Sequence, residues 1–187
     1  MTVALFLLAC QGFIGAFDTI YYHEYRAQLP ARGRTAVPEL VLHAARAFLY
    51  GVLFCTLPVV VWAGPWTLAF AAVLVAEIIL TLWDFIVEVK VRRTLGDVYP
   101  GERVTHAIMG ILYGAMIACL IPNLSQWWRL PSGLTIKAAA LPVILRWALL
   151  SMGIGVTLSG LRDLYAALGL PGGSWPWKVR NELTTPA

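Results

Sequence analysis

Residues 39–51 read ELVLHAARAFLYG, and residues 102–114 read ERVTHAIMGILYG. Seven of the thirteen aligned positions are identical: Glu39/Glu102, Val41/Val104, His43/His106, Ala44/Ala107, Leu49/Leu112, Tyr50/Tyr113 and Gly51/Gly114. Apolar coincidences are cheap in a chain rich in Leu, Ala and Gly. A Glu and a His repeated four apart are not, because the chain has three histidines in all. The match extends upstream if the preceding loops differ by three residues. Phe17-Asp18-Thr19-Ile20 then lies against Trp83-Asp84-Phe85-Ile86, and Gln11 against Glu77. Residues 3–62 and 66–122 therefore read as two copies of one helical hairpin. Each copy has an acid on its first helix and Glu-x-x-x-His on its second, and a repeat of this kind fixes the architecture.

Composition sets the solvent. Of the 187 residues, 59% are hydrophobic and 13% charged, with a mean hydropathy of +0.74. A soluble domain is about a quarter charged. The sequence is that of an integral membrane protein, and its length suits a single membrane domain. Its net charge of +4 comes from Lys and Arg gathered in loops, which speaks to orientation rather than to nucleic acid. Cys10, Cys55 and Cys119 are isolated and form no Cys-x-x-Cys spacing, so neither a disulfide framework nor a zinc knuckle is expected. Residues 7–10 resemble a lipoprotein box, but no Lys or Arg precedes them, and a retained first helix is expected.

Five spans follow from the apolar runs, each long enough to cross ~30 Å of hydrocarbon. They cover residues 3–25, 39–62, 66–91, 102–121 and 137–165, the last bent near Pro142. Residues 123–136 read as an interfacial loop with Trp127 and Trp128 at headgroup level. Residues 169–187 show no periodicity and are expected to be a tail, loose or lying on the surface. Arg26, Arg32 and Arg34 lie in one loop, and Lys90, Arg92, Arg93 and Arg103 in or beside another. The positive-inside rule makes both loops and the tail cytoplasmic and puts the N-terminus outside, as expected for a bacterial inner-membrane protein.

The polar residues within the spans fall on single helix faces. The third span carries Glu77, Thr81, Asp84 and Glu88; the first carries Gln11, Gly15, Asp18 and Tyr22. The second and fourth give Glu39, His43, Arg46, Tyr50 and Glu102, His106, Met109, Tyr113. Counted from the two basic loops at ~1.5 Å per residue, Asp18, His43, Asp84 and His106 reach one level. Ionisable groups at such depth are costly and functional by default. Arg46 alone does not neutralise six carboxylates; a bound cation would. Carboxylate with imidazole suits iron, manganese or zinc.

The expected metal ligands are Asp18, Glu39, His43, Asp84, Glu88, Glu102 and His106. Tyr22, Arg46, Tyr50, Glu77 and Tyr113 are expected to hydrogen-bond or pair with them, Arg46 with Glu77 first. His23 and Glu24 fall off the stripe near the membrane surface and read as interfacial, though one of them could complete an asymmetric site.

This pattern resembles the ferritin-like di-iron carboxylate bundle, in which two helices each give one acid and two others each give Glu-x-x-His. The positions that match are Asp18 and Asp84, then Glu39/His43 and Glu102/His106. Here Glu and His are four apart rather than three, and the single acids are Asp. The resemblance implies two metal ions, iron first, in an antiparallel four-helix bundle formed by the two hairpins. It implies an oxidoreductase acting on a lipid, quinone or isoprenoid, with an electron donor as partner. Three other readings stay open: a parallel-repeat cation transporter, a b-type haem carrier ligated by His43 and His106, and a zinc hydrolase using His23, His43 and His106.

Overall fold

Pro38 stands in the first turn of a helix over Val37–Thr56, where its missing N–H costs nothing. The computed structural model describes residues 1–137 and 141–178. Its elements are α1 (Thr2–Phe17), a π-helical continuation (Asp18–Arg26), two 3-10 turns (Leu29–Ala31 and Gly33–Ala36), α2 (Val37–Thr56), β1 (Val60–Ala63), α3 (Trp66–Arg92), α4 (Pro100–Trp128), β2 (Gly133–Ile136) and α5 (Val143–Ala167). Five helical stretches are long and apolar enough to cross a membrane, the build of a multi-pass membrane protein.

Three boundaries depart from the sequence reading, each for a local reason. The second span ends at Thr56, not at residue 62, because Pro58 has no N–H to continue the ladder. The β-branched run that follows forms β1, which pairs antiparallel with β2, Val60 opposite Ile136 and Ala63 opposite Gly133. The stretch at 123–136 is therefore not a loop throughout. α4 runs through Pro122 to Trp128, and β2 follows.

Trp127 is buried and packs edge-on to Phe70, while Trp128 is half exposed. The fifth helix begins after Pro142 rather than at residue 137, whose N–H closes the ribbon on the carbonyl of Val59 at 2.8 Å. The expected helical residues 138–140 lie outside the described residues. Restriction of the residue before a proline accounts for the late start.

α2 packs chiefly against α5 and α3, and α1 against α4. Close approach of α2 and α5 depends on glycine. A Cβ at Gly160 would stand 2.6 Å from the Cβ of Ala47, and one at Gly153 would stand 3.1 Å from the Cβ of Phe54. Small residues at a helix crossing are how bundles in lipid gain packing contacts.

The apolar core is in two parts. The larger gathers Leu5, Leu8, Leu53, Phe70, Met116 and Leu149; the smaller gathers Ala27, Leu29, Ala36 and Leu40. Along α1 and α2 the polar residues come between these two clusters.

The tail is not loose over its described part. Tyr165 donates its hydroxyl to the carbonyl of Pro171, and Arg162 donates to that of Trp175 at 2.7 Å. Residues 179–187, the rest of the expected tail, lie outside the described residues.

Candidate metal centre

The winding of residues Asp18–Arg26 decides which side chains enter the polar layer. In an α-helix, residues five apart point ~140° from one another, at 3.6 residues per turn. In the wider i→i+5 register they stack on one side, and such π-helical turns concentrate at functional sites. His23 thereby shares a face with Asp18, its Nε2 3.3 Å from Asp18 Oδ2. His23 is buried, not interfacial as its α-helical phase predicts.

Four helical segments converge here. His106 Nε2 on α4 lies 3.1 Å from Asp18 Oδ2, and Thr105 donates to Asp18 Oδ1 at 2.6 Å. His43 Nε2 on α2 lies 3.4 Å from Asp84 Oδ2 on α3. The other face of His106 reaches α3, with Nδ1 3.6 Å from Glu88 Oε2. The rings of His23 and His43 stack with centroids 4.4 Å apart. All three imidazoles of the chain therefore meet in one buried layer.

Two guanidiniums enter the same layer. Arg46 donates to Asp84 Oδ2 at 2.6 Å and lies 3.7 Å from Glu77 Oε1, so the expected Arg46–Glu77 pair forms but Asp84 is the nearer partner. Arg92 is a correction to the sequence reading. It is 1% exposed and not part of a solvated basic loop. It donates to Glu39 through Nε and Nη2, and from Nη2 to Glu102 Oε1 at 3.1 Å. The premise that Arg46 alone faces the carboxylates therefore fails. Arg92 was legible, because it stands four residues after Glu88 and continues the stripe of α3.

A surplus of negative charge remains after both arginines are counted. Asp18, Glu39, Glu77, Asp84, Glu88, Glu102 and Asp163 are all buried. Seven carboxylates against two guanidiniums leave five formal negative charges when the imidazoles are neutral. Asp163, on α5, is a site residue that the repeat alignment could not supply, since α5 has no counterpart in the repeat. Its signal was simply that it is an acid within an apolar span.

Three groups of side chains bring ligand atoms within 4.8 Å of one another: Asp18/His23/His106, His23/Glu39/His43 and Glu88/Glu102/His106. These buried His, Asp and Glu groups could hold a metal ion. His23 Nε2 also lies 3.1 Å from Glu102 Oε1, yet it has hydrogen-bond geometry with neither that oxygen nor Asp18. Asp84 Oδ1 and Glu88 Oε1 are buried and, among the described residues, have no hydrogen-bond partner either. Leaving such an atom bare in a low-dielectric layer costs roughly 1–3 kcal/mol, and more for a charged group. Donor atoms of the right kind, crowded and unsatisfied, fit a cation.

The aromatic residues are divided. Tyr50 accepts a hydrogen bond from Gln11 Nε2, and Tyr113 donates to the carbonyl of Leu74 at 3.2 Å. Their rings lie 6.1 Å apart. Tyr22 turns to Tyr99, with ring centroids 6.1 Å apart, and makes no hydrogen bond to a site carboxylate among the described residues. Glu24 leaves the layer and pairs with Arg162, while Trp177 Nε1 donates to it at 3.2 Å.

A cavity of about 660 Å³ adjoins the layer. Asp18, His23, His43, Arg46, His106 and Asp163 line its polar part; Gly12, Phe54, Met152 and Gly155 line its apolar part.

The fold and site together define a class: a multi-pass helical protein with a buried carboxylate–imidazole cluster able to hold metal. No family model, curated protein or solved structure matches the chain.

Proposed function

We propose that this chain is a membrane-embedded two-metal protein, iron its first candidate, that acts as an oxidoreductase on a lipophilic substrate. The observation that carries the reading is the meeting of three imidazoles and four carboxylates in groups whose ligand atoms lie within 4.8 Å. Charge favours two ions over one. Two divalent cations would cut the five surplus negative charges to one while leaving the histidines neutral, as ligation requires. The Asp18/His23/His106 group takes one ion. Glu39, His43 and Asp84 would take the other, His43 Nε2 lying 4.0 Å from Glu39 Oε1 and 3.4 Å from Asp84 Oδ2.

The duplicated hairpin belongs to the same proposal. Asp18 with His106 and Asp84 with His43 are corresponding pairs under the repeat, and Glu39 and Glu102, also corresponding, share Arg92. Carboxylate and imidazole ligands of this number suit iron or manganese, with zinc third. A metal with open positions supplies redox or Lewis-acid chemistry when bound. The chain's own residues exclude water around it and open it to a cavity with an apolar end. The substrate class, a lipid, quinone or isoprenoid, follows from that cavity lying among membrane-spanning helices. Orientation with both basic loops cytoplasmic is part of the proposal.

Elemental analysis tests the reading directly. Protein purified from metal-replete cells should hold about two metal equivalents, and His106→Ala should lose most of them. Metal-free protein whose thermal stability matches that of the metal-replete preparation would overturn it. A second reading, a zinc-dependent hydrolase, is favoured by one observation. His23, its ring stacked on His43, is also edge-on to His106 with centroids 6.3 Å apart. Zinc in place of iron in the same analysis would select it.

A further inference from the structure

We infer that the cavity beside the polar layer binds a single linear hydrocarbon chain ending in an oxygen-bearing head, which enters sideways from the bilayer between α1 and α5. This deepens the function proposed above and rests on it for the chemistry done at the head. Three features of the cavity carry the inference.

The first is shape. The wall contributed by α2 runs from His43 to Phe54, and that contributed by α5 from Met152 to Asp163. Each stretch spans ~16 Å at 1.5 Å per residue. A volume of about 660 Å³ is that of a site for one small ligand, drawn out along the helices.

The second is polarity. One part of the length carries His23, His43, Arg46 and Asp163, and the other carries Gly12, Phe54, Met152 and Val156, with the hydrogen-bonded pair Gln11 and Tyr50 beside them. A head with oxygen donors or acceptors matches the former, and a plain hydrocarbon matches the latter. A molecule polar throughout would leave its groups unpaired against Phe54 and Met152, at a cost of a few kcal/mol each.

The third is access. α1 packs against α4, and α2 against α5, but α1 and α5 touch little. Ala16 and Gly155, on the cavity wall from the two sides of that seam, are themselves exposed. Ile20 and Leu158 beside them are 67% and 60% exposed, the surface expected where lipid meets the protein. The seam is open at Gly155, where an added Cβ would meet no atom of the described residues within 4 Å.

The test uses the full chain in native-lipid membranes and a long-chain alcohol, hexadecanol carrying a mid-chain diazirine, as probe. Photolabelling should give adducts on cavity residues of α1, α2 and α5, such as Ala16, Phe54 and Met152. Excess unlabelled hexadecanol or geranylgeraniol should suppress them. The alcohol that competes identifies a straight or a prenyl chain as the source. Gly155→Phe should cut the cavity adducts by about tenfold, a loss of ~1.4 kcal/mol, with metal content unchanged.

Labelling spread evenly over lipid-facing positions such as Ile111 and Ile144, or suppressed by neither alcohol, overturns the inference. So does unchanged labelling in Gly155→Phe. If that variant fails to accumulate, the adduct pattern and competition in the unaltered chain decide. Metal-free protein that still shows competed cavity labelling would sink the two-metal reading alone. Metal-loaded protein without such labelling would sink the chain site alone.

Discussion

Asp18, at the start of the π-helical continuation of α1, and His106 on α4 face each other, Oδ2 to Nε2 at 3.1 Å, though they stand eighty-eight residues apart in the chain. Thr105, next to His106, holds the other carboxylate oxygen at 2.6 Å. Such an anchored carboxylate presents one oxygen in a fixed direction, which is what a ligand needs.

Asp18→Ala and His106→Ala should therefore each strip most of the metal, whereas Thr105→Val, which only frees the carboxylate to turn, should weaken metal binding about 10–100-fold. Titration of chelator-treated protein with Fe²⁺ or Zn²⁺ gives the affinities. Chelation should also lower Tm, since a ligand that binds only the native state stabilises it by mass action. A Tm indifferent to chelator would contradict the site.

Arg92 is the keystone of the charge layer. Its guanidinium is enclosed and bonded to Glu39 and Glu102 at 2.8 and 3.1 Å. Arg92→Met leaves two carboxylates facing each other without a cation, and breaking a buried pair in this way costs about 3–5 kcal/mol. Thermal unfolding in detergent should show that loss. Adding Glu39→Gln and Glu102→Gln to Arg92→Met should recover part of it, because amides need no counter-charge. Arg92→Lys should recover less than the full stability, since an ammonium cannot reproduce the forked contacts.

The α2–α5 crossing makes a different prediction. At Gly160 an added methyl would collide with Ala47 at 2.6 Å and approach the carbonyl of Ala44 at 3.2 Å. Gly160→Leu should destabilise by about 1–3 kcal/mol or more through overpacking. Among the described residues Gly110 on α4 has no neighbour within 4 Å of an added Cβ, so Gly110→Ala should be neutral or slightly stabilising by helix propensity. Unfolding midpoints of the two variants separate a glycine required for packing from one that is not.

The parts of this molecule that were legible in the sequence are those written in helical periodicity. The stripe Glu77, Thr81, Asp84, Glu88 and its partners on the other spans brought the right helices to one layer, because an α-helix repeats faithfully over that length. What escaped depended on departures from that period or on single residues. Pro58 and the run Val59 to Val61 turned a span end into a strand, a contest between apolar length and β-propensity that length alone does not settle. Arg92 was assigned by its neighbours in a basic run rather than by its phase on α3. Asp163 had no copy in the repeat to draw attention to it.

His23 is the most instructive of these, and it gives a test in which two readings of one residue diverge. If residues Asp18–Arg26 continued α1 without change of pitch, His23 would face lipid or headgroups, and replacing it would leave metal content intact. With the π-helical pitch, it lies 3.3 Å from Asp18 and 3.1 Å from Glu102 and stacks on His43. His23→Ala should then lose metal as fully as His106→Ala. Tyr25→Ala, two residues on and 62% exposed, should not change it. Elemental analysis of the three variants side by side decides the matter, because only the wider winding makes His23 and His106 equivalent in their dependence on Asp18.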